Sequence, residues 1–362
     1  MGTRRAASQS FRAVRRRWLP GLLVGWAVVI ALAGCTSGGG SDGAASSSTS
    51  RQAVASGAAS LETAYQQVID QVLPSVVEIR TSTGLGSGVV YDDQGDIVTN
   101  AHVVGDNQQF QVLASGTAGS LPATLVGSYP PNDLAVIRVS GDHQLKPAAF
   151  ADSSKVRVGQ LVLAMGNPLG LEATVTNGIV SATGRTVSEP VTPESPGATL
   201  PDAIQTSADI NPGNSGGALV DLTSEVVGIP TLAAVSPQEG GAAPGIGFAI
   251  PSNQVKRLAD QIVATGTVTD SGRAALGVRI TTVVDPSGKP VGVGVVDVVP
   301  GGPAEAAGIK PGDVIVAVDG KETPTPEALG AVLADLKPGD NVPVTINRGG
   351  AEQDLQVTLG EL

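Results

Sequence analysis

The chain of 362 residues contains one cysteine, two histidines and few aromatic residues. Each scarcity excludes a kind of chemistry. With Cys35 as the single cysteine, folded domains beyond it have no intramolecular disulfide, no cysteine nucleophile and no cysteine-based metal site. With His102 and His143 as the only histidines, a multi-histidine metal site is also excluded, and no metal is expected. Aromatics make up 2% of the chain, so its core has to be built from Val, Leu, Ile and Ala. Basic residues become scarce after the first 34 positions. That segment holds Arg4, Arg5, Arg12, Arg15, Arg16 and Arg17 and no acid, which leaves 16 basic groups against 33 acids elsewhere, a net charge of −17. A body that acidic repels phosphate backbones and anionic lipid, so no nucleic-acid partner is expected.

What the chain has in quantity is small residues and turn formers, with 48 Gly and 25 Pro. That profile fits many short strands joined by turns and argues against a helical bundle. The length allows about two or three domains. Residues 1–34 read as an export signal: the basic stretch ends at Arg17, an apolar run follows, and Leu32-Ala33-Gly34-Cys35 closes it. This segment resembles a bacterial lipoprotein signal. The resemblance implies cleavage before Cys35, acylation of Cys35, and a chain held by lipid on the outer face of the plasma membrane. The alternative is an uncleaved anchor, because roughly 17 apolar residues can just span a bilayer. Arg15-Arg16-Arg17-Trp18-Leu19 also loosely resembles a twin-arginine signal, against the general secretory route as default.

Residues 35–60 are small and polar and read as a flexible tether. Residues 61–265 read as one β-rich domain. Helical spacing over 61–72 comes first, then short apolar runs cut by Gly, Asp, Asn and Pro, as in a sandwich or barrel. A closing helix is predicted over 252–265, with Ser252 as N-cap and Val255, Leu258, Ala259 and Ile262 as its apolar stripe. A linker over 266–273 leads to a second unit, 274–362, of strands with a short helix near Ala304 and a longer one over 326–336.

The most specific motif is Gly213-Asn214-Ser215-Gly216-Gly217. Serine needs a neighbouring base to become a nucleophile, and the tetrahedral oxyanion needs preorganised donors. Glycine at 213 permits the unusual backbone in which the amides of Gly213 and Ser215 point at one spot. Two other segments supply the partners. Thr99-Asn100-Ala101-His102 places a histidine at the end of an apolar strand, and Asn132-Asp133-Leu134 places an acid at the start of another. The chain order His102, Asp133, Ser215 is one of the known arrangements for a nucleophilic triad. His143, in the polar stretch Gly141-Asp142-His143-Gln144, reads as a solvated turn. Gly84, Gly86 and Gly88 have the wrong spacing for a phosphate loop, and no Lys-Ser/Thr follows them.

Taken together, TNAHVV, NDLAVIRV, AMGNPLGLEATVTNGIVSA, IQTSADINPGNSGGALV and GIGFAIPSN resemble the HtrA (Deg) family of serine proteases over roughly residues 61–362. The resemblance implies a mainly β fold: a chymotrypsin-type double β-barrel protease domain followed by an α+β PDZ domain. It implies His102 as general base, Asp133 as its orienting acid, Ser215 as nucleophile, and the amides of Gly213, Asn214 and Ser215 as the oxyanion hole. Sensing and activation loops would fall at 186–201, 208–212 and 231–244. Ala275-Leu276-Gly277-Val278 resembles the PDZ carboxylate-binding loop, which implies Leu276, Gly277 and Val278 as the seat of a C-terminal peptide. The segment from Gly302 to Ile315 matches the part of a PDZ domain that packs beneath this groove. No cofactor is implied, and a homotrimer is.

Departures from the family pattern bear on specificity. Asp209 lies six residues before Ser215, where an acid in trypsin-like enzymes selects Arg or Lys; the alternative is an Asp209 that faces solvent or caps a turn. Ala218 replaces a common Pro. The resulting expectation is an ATP-independent envelope endopeptidase that cleaves unfolded or damaged exported proteins. A chaperone or peptide-binding scaffold with minor proteolysis is the alternative from the binding class, and a narrow processing protease is the third reading.

Overall fold

The structure is a computed structural model that describes residues 45–362 apart from 83, 116–118, 168–173, 190–197, 212 and 237–240. The export signal and Cys35 lie outside the described residues. Among the described residues, helix α1 (Ala45–Val72) leads into twenty strands. It begins within the stretch 35–60 that the sequence reads as a tether. Between Ala45 and Ala59 the alanines favour helix and no proline interrupts them.

Six strands close a first barrel in the order β1-β2-β3-β6-β5-β4: β1 (Val76–Arg80), β2 (Leu85–Val90), β3 (Asp96–Thr99), β4 (Gln109–Ala114), β5 (Leu121–Tyr129) and β6 (Leu134–Val139). Helix α2 (Ala101–Val104) follows β3. Six more close a second barrel in the order β10-β11-β12-β9-β8-β7: β7 (Leu161–Gly166), β8 (Thr174–Glu189), β9 (Ala198–Thr206), β10 (Ala218–Asp221), β11 (Val226–Ser236) and β12 (Gly241–Pro251). Helix α3 (Ser252–Thr265) follows.

Strand alternation sorts the apolar residues into separate cores. Ala135 and Ile137 fill the first barrel, while Leu134 and Val136 of the same strand face outward into the seam between the barrels. Val162 and Ala164 fill the second barrel, while Leu163 and Met165 enter the seam. Both faces of these strands are therefore buried, which explains why they read as continuous apolar runs and not as alternating ones. Val68 and Val72 of α1 and Val255, Leu258, Ala259 and Ile262 of α3 complete the seam. Ser252 is the first helical residue and Pro251 the cap. The Ser252 hydroxyl donates to the Ala151 carbonyl at 2.7 Å, so it pins the helix to the barrel instead of capping it.

The remaining strands belong to the C-terminal unit: β13 (Ala274–Ala275), β14 (Val278–Val284), β15 (Pro290–Val298), β16 (Val314–Val318), β17 (Lys321–Glu322), β18 (Asn341–Arg348), β19 (Ala351–Thr358) and β20 (Gly360–Glu361). Its main sheet has the order β14-β15-β16-β18-β19, with β17 paired to β16, while β13 pairs with β20. Helices α4 (Pro303–Ala306) and α5 (Pro326–Ala334) cover it. Thr325 caps α5 by accepting the Ala328 N–H at 3.2 Å. Leu276, Val293, Ile315, Leu329, Val332 and Val344 share one core. Helix α5 also packs against β8 and β9 of the second barrel, where the Thr186 hydroxyl donates to Asp335 Oδ1 at 3.1 Å.

Candidate active site

The seam brings His102, Asp133 and Ser215 to one place through elements of both barrels. His102 stands on α2, directly after β3. Asp133 follows the 3-10 turn Pro130–Asn132 and takes a left-handed backbone, φ 50° and ψ 42°, which turns its carboxylate back toward α2. Asp133 is 2% exposed. His102 engages it twice: the backbone N–H donates to Oδ1 at 2.9 Å, and Nδ1 lies 2.9 Å from Oδ2. With the proton on Nδ1 donated to Asp133, Nε2 carries the lone pair that a general base requires. Asn100 Nδ2 donates to the Asp133 carbonyl at 3.0 Å and fixes the backbone of the turn.

Ser215 comes from the second barrel, in the turn before β10. Its hydroxyl donates to the Thr231 carbonyl at 3.4 Å, and the Thr231 hydroxyl donates to Asp133 Oδ2. Thr231, on β11, thus touches both the serine and the acid. Sequence reading missed it, because it fell at the edge of a segment assigned to a loop. A polar residue inside the otherwise apolar run 226–235 was the only available signal.

The turn around Ser215 is built by the glycines and by a serine on β2. Gly213 has φ 116°, outside the range that side-chain-bearing residues ordinarily take. Gly216 has φ 80°, and a Cβ there would lie 2.3 Å from the Ser87 carbonyl oxygen. Ser87 is fully buried. Its hydroxyl donates to the Gly213 carbonyl at 2.5 Å and accepts the Asn167 N–H at 2.9 Å, while its own N–H donates to the Ser215 carbonyl at 3.2 Å. One residue of the first barrel therefore holds the turn around Ser215 at both Gly213 and Ser215.

Of the three amides expected at the oxyanion hole, that of Asn214 is committed elsewhere: it donates to the Asn211 carbonyl at 3.1 Å. The Asn214 side chain also closes this turn, accepting from the Asn211 N–H and donating to the Asp209 carbonyl, each at 2.9 Å. Among the described residues, the Gly213 and Ser215 amides donate to no acceptor. Asp209 is exposed, and it is its carbonyl that is held, by Asn214 and by the Thr176 hydroxyl at 2.8 Å. An acid at the base of a closed specificity pocket would be buried, so this placement favours the solvent-facing reading. His143 packs against the turn at Gly95 and not in this cluster. No group of three or more metal-ligating side chains occurs among the described residues.

The peptide-binding loop expected in the C-terminal unit lies at the start of β14. Leu276 is 2% exposed and belongs to the core, and its carbonyl accepts the Ala304 N–H at 2.9 Å. Gly277 has φ 70°, and its carbonyl accepts the Val299 N–H at 2.9 Å. Val278 begins β14, which pairs with β15 on one side and is the outer strand of the sheet on the other.

Comparison with known proteins agrees with this architecture. The trypsin-like peptidase domain family matches residues 86–229, and the PDZ domain family matches residues 274–359. The serine protease PepD of Mycobacterium tuberculosis is 39% identical over 378 residues, which cover 96% of this chain and 80% of that protein. A probable periplasmic DegP-like serine endoprotease of Brucella suis is 40% identical over 76% of this chain; the chain spans about half of its length, 52%. Among solved structures, the HtrA-type protease AlgW with a decapeptide has a TM-score of 0.55 at 30% identity, over 82% of this chain and 98% of that one. The serine endoprotease from Yersinia pestis has a TM-score of 0.55 at 34% identity, also over 82% and 98%. A trypsin-like double barrel with a PDZ domain behind it, and this degree of identity over most of PepD, give one conclusion: the chain belongs to the HtrA family of serine proteases.

Proposed function

We propose that His102, Asp133 and Ser215 form the catalytic triad of an endopeptidase working through an acyl-enzyme. The observation that carries this reading is the double contact of His102 on Asp133, with Thr231 tying the same carboxylate to Ser215. Ser215 Oγ attacks the scissile carbonyl carbon while His102 Nε2 takes its proton, and Asp133 steadies the imidazolium that results. The oxyanion forms between the Gly213 and Ser215 amides, the two that are left free to donate. His102 then passes the proton to the leaving amine, and water hydrolyses the ester by the same steps.

In this reading the domains run 61–265 for the protease, 266–273 for the linker and 274–362 for the PDZ domain. Substrates are unfolded or damaged exported polypeptides. Leu276, Gly277 and Val278 receive a C-terminal carboxylate, with β14 pairing to the peptide behind it. The chain is exported, lipid-anchored at Cys35 and assembled as a homotrimer. The basic and apolar start of the sequence, ending in Cys35, supports the anchor. The family resemblance supports the trimer.

Reaction with a fluorophosphonate probe tests the triad. Labelling is expected on Ser215, and Ser215→Ala is expected to lose both labelling and casein hydrolysis. Labelling elsewhere, or casein cleavage retained by Ser215→Ala, overturns the assignment. Cell fractionation of Cys35→Ala tests the anchor, which fails if that variant stays membrane-bound like the wild type.

A further inference from the structure

Arg273 stands where the linker meets β13, three residues ahead of Leu276, yet its side chain belongs to the active-site region. It is 8% exposed. Its Nη1 donates to the Pro131 carbonyl at 2.5 Å and to Asn132 Oδ1 at 3.0 Å. Among the described residues, no carboxylate pairs with this guanidinium. Glu361, the nearby acid, is spent on the Ser271 hydroxyl at 2.8 Å and the Gly272 N–H at 2.6 Å. Burial accordingly pushes the Arg273 guanidinium below its ordinary pKa. A buried cation without a counter-charge costs stability, and an apolar side chain in its place would serve the packing better. What the cation accomplishes is specific: it holds two neutral acceptors on the turn Pro130–Asn132.

That turn ends in Asp133. Asn132 is fully buried, Asp133 has φ 50°, and the next strand begins at Leu134. A non-glycine residue in this conformation is held there by its surroundings. Asn100 holds the Asp133 carbonyl from the α2 side at 3.0 Å. Arg273 holds the preceding peptide and the Asn132 side chain. The backbone of Arg273 is itself fixed, its N–H to the Ser271 hydroxyl at 3.1 Å and its carbonyl to the Leu362 N–H at 2.9 Å.

We propose that Arg273 is a positioning residue for the catalytic pair: its guanidinium clamps Pro131 and Asn132 so that Asp133 meets His102. The proposal rests on Asp133 being the orienting acid. It makes one side chain of the linker part of the machinery of the protease domain, at a distance from any substrate.

The test is steady-state cleavage of a short internal peptide by the full chain and by Arg273→Ala, Arg273→Lys and Asp133→Asn, with folding checked by circular dichroism. A displacement of about 1 Å in a catalytic group can cost on the order of a hundredfold. Arg273→Ala is therefore expected to lose about 30-fold or more in kcat, with KM within about twofold. Arg273→Lys, which keeps one cationic donor, should lie between it and wild type. Arg273 borders a cleft of about 800 Å³ together with Gly272, Arg257 and Gln254, a route by which free guanidinium ion should restore several-fold of the Arg273→Ala kcat and none of the Asp133→Asn loss. Wild-type kcat in folded Arg273→Ala overturns the proposal, as does a loss that guanidinium does not restore. If Arg273→Ala fails to fold, Arg273→Lys decides: a lower kcat at unchanged KM supports the proposal and a wild-type kcat overturns it. Wild-type activity in Asp133→Asn would instead sink the assignment of Asp133.

Discussion

The hydroxyl of Thr231 donates to Asp133 Oδ2, and the carbonyl of the same Thr231 accepts from Ser215. One residue of the second barrel therefore reaches Asp133 of the first and Ser215 of its own. Thr231 is 4% exposed, so no water replaces the hydroxyl cheaply if it is removed. Thr231→Val keeps the shape and deletes the donor. Its kcat should fall about 10- to 100-fold with KM little changed, while Thr231→Ser stays within a few-fold of wild type. Steady-state kinetics on a short peptide checks this.

Ser87→Ala should affect both stability and rate. It strands the buried Asn167 N–H, which costs about 1–3 kcal/mol in denaturant unfolding. It also frees the Gly213 carbonyl and so loosens the residue whose own N–H is expected to face the oxyanion. A kcat loss of about 10- to 100-fold is predicted, near the cost of weakening one oxyanion donor. A Ser87→Ala enzyme with wild-type kcat would show that the turn holds its shape without this bond.

Asp209→Asn should leave cleavage preference unaltered. The carboxylate is exposed, and the contacts of this residue run through its carbonyl. On a peptide panel, the ratio of kcat/KM for Arg against Ala before the scissile bond should stay within about twofold of wild type. A large shift in that ratio would place the carboxylate in contact with substrate.

In the PDZ domain, Arg348 grips Asp313 through two hydrogen bonds of 2.6 Å, and the Lys310 N–H adds a third at 2.8 Å. The Arg348 bonds hold the Asp313 carboxyl below its ordinary range against the opposing effect of burial. Because the folded value is depressed, this stabilisation is complete above the unfolded carboxylate pKa of about 3.9 and is lost as pH falls through the folded value. The stability difference between wild type and Asp313→Asn should therefore shrink as pH is lowered below about 4. At neutral pH, Arg348→Leu leaves a buried carboxylate without its partner and should cost roughly 2–4 kcal/mol in unfolding of the full chain.

The proposed triad could be drawn from the sequence because each candidate member sits in a motif whose local structure is simple: strand end, turn before strand, glycine turn. The PDZ domain was legible through Leu276-Gly277-Val278 and the segment beginning at Gly302. What escaped were residues whose role exists only across the fold. Ser87 lies 126 positions from Gly213, Thr231 lies 98 from Asp133, and Arg273 lies 141 from Asn132. No spacing rule links such pairs, because a barrel brings them together by closure and not by neighbourhood in the chain. The same cause explains Asn214. Sequence placed its amide among the oxyanion donors, while the turn it closes with Asn211 turns that amide inward. Strand existence was readable, but burial on both faces hid the alternation that would have told barrel interior from seam.

The outer strands of the PDZ sheet are β14 and β19, and they differ in a telling way. Strand β19 lines its edge with exposed Glu352, Gln353 and Asp354, while β14 carries Val278, Ile280, Thr281, Thr282 and Val283 with Arg279 as its one charge. Charge at an edge deters a foreign strand from pairing, and closed barrels have no edge to offer. Apart from the two-residue β13–β20 pair, β14 is thus the one unguarded ladder among the described residues. Under the proposed function, an enzyme that handles misfolded chains is at risk of co-aggregating with them. In that reading the risk is confined to a single strip of backbone, the strip proposed to capture a loose chain end.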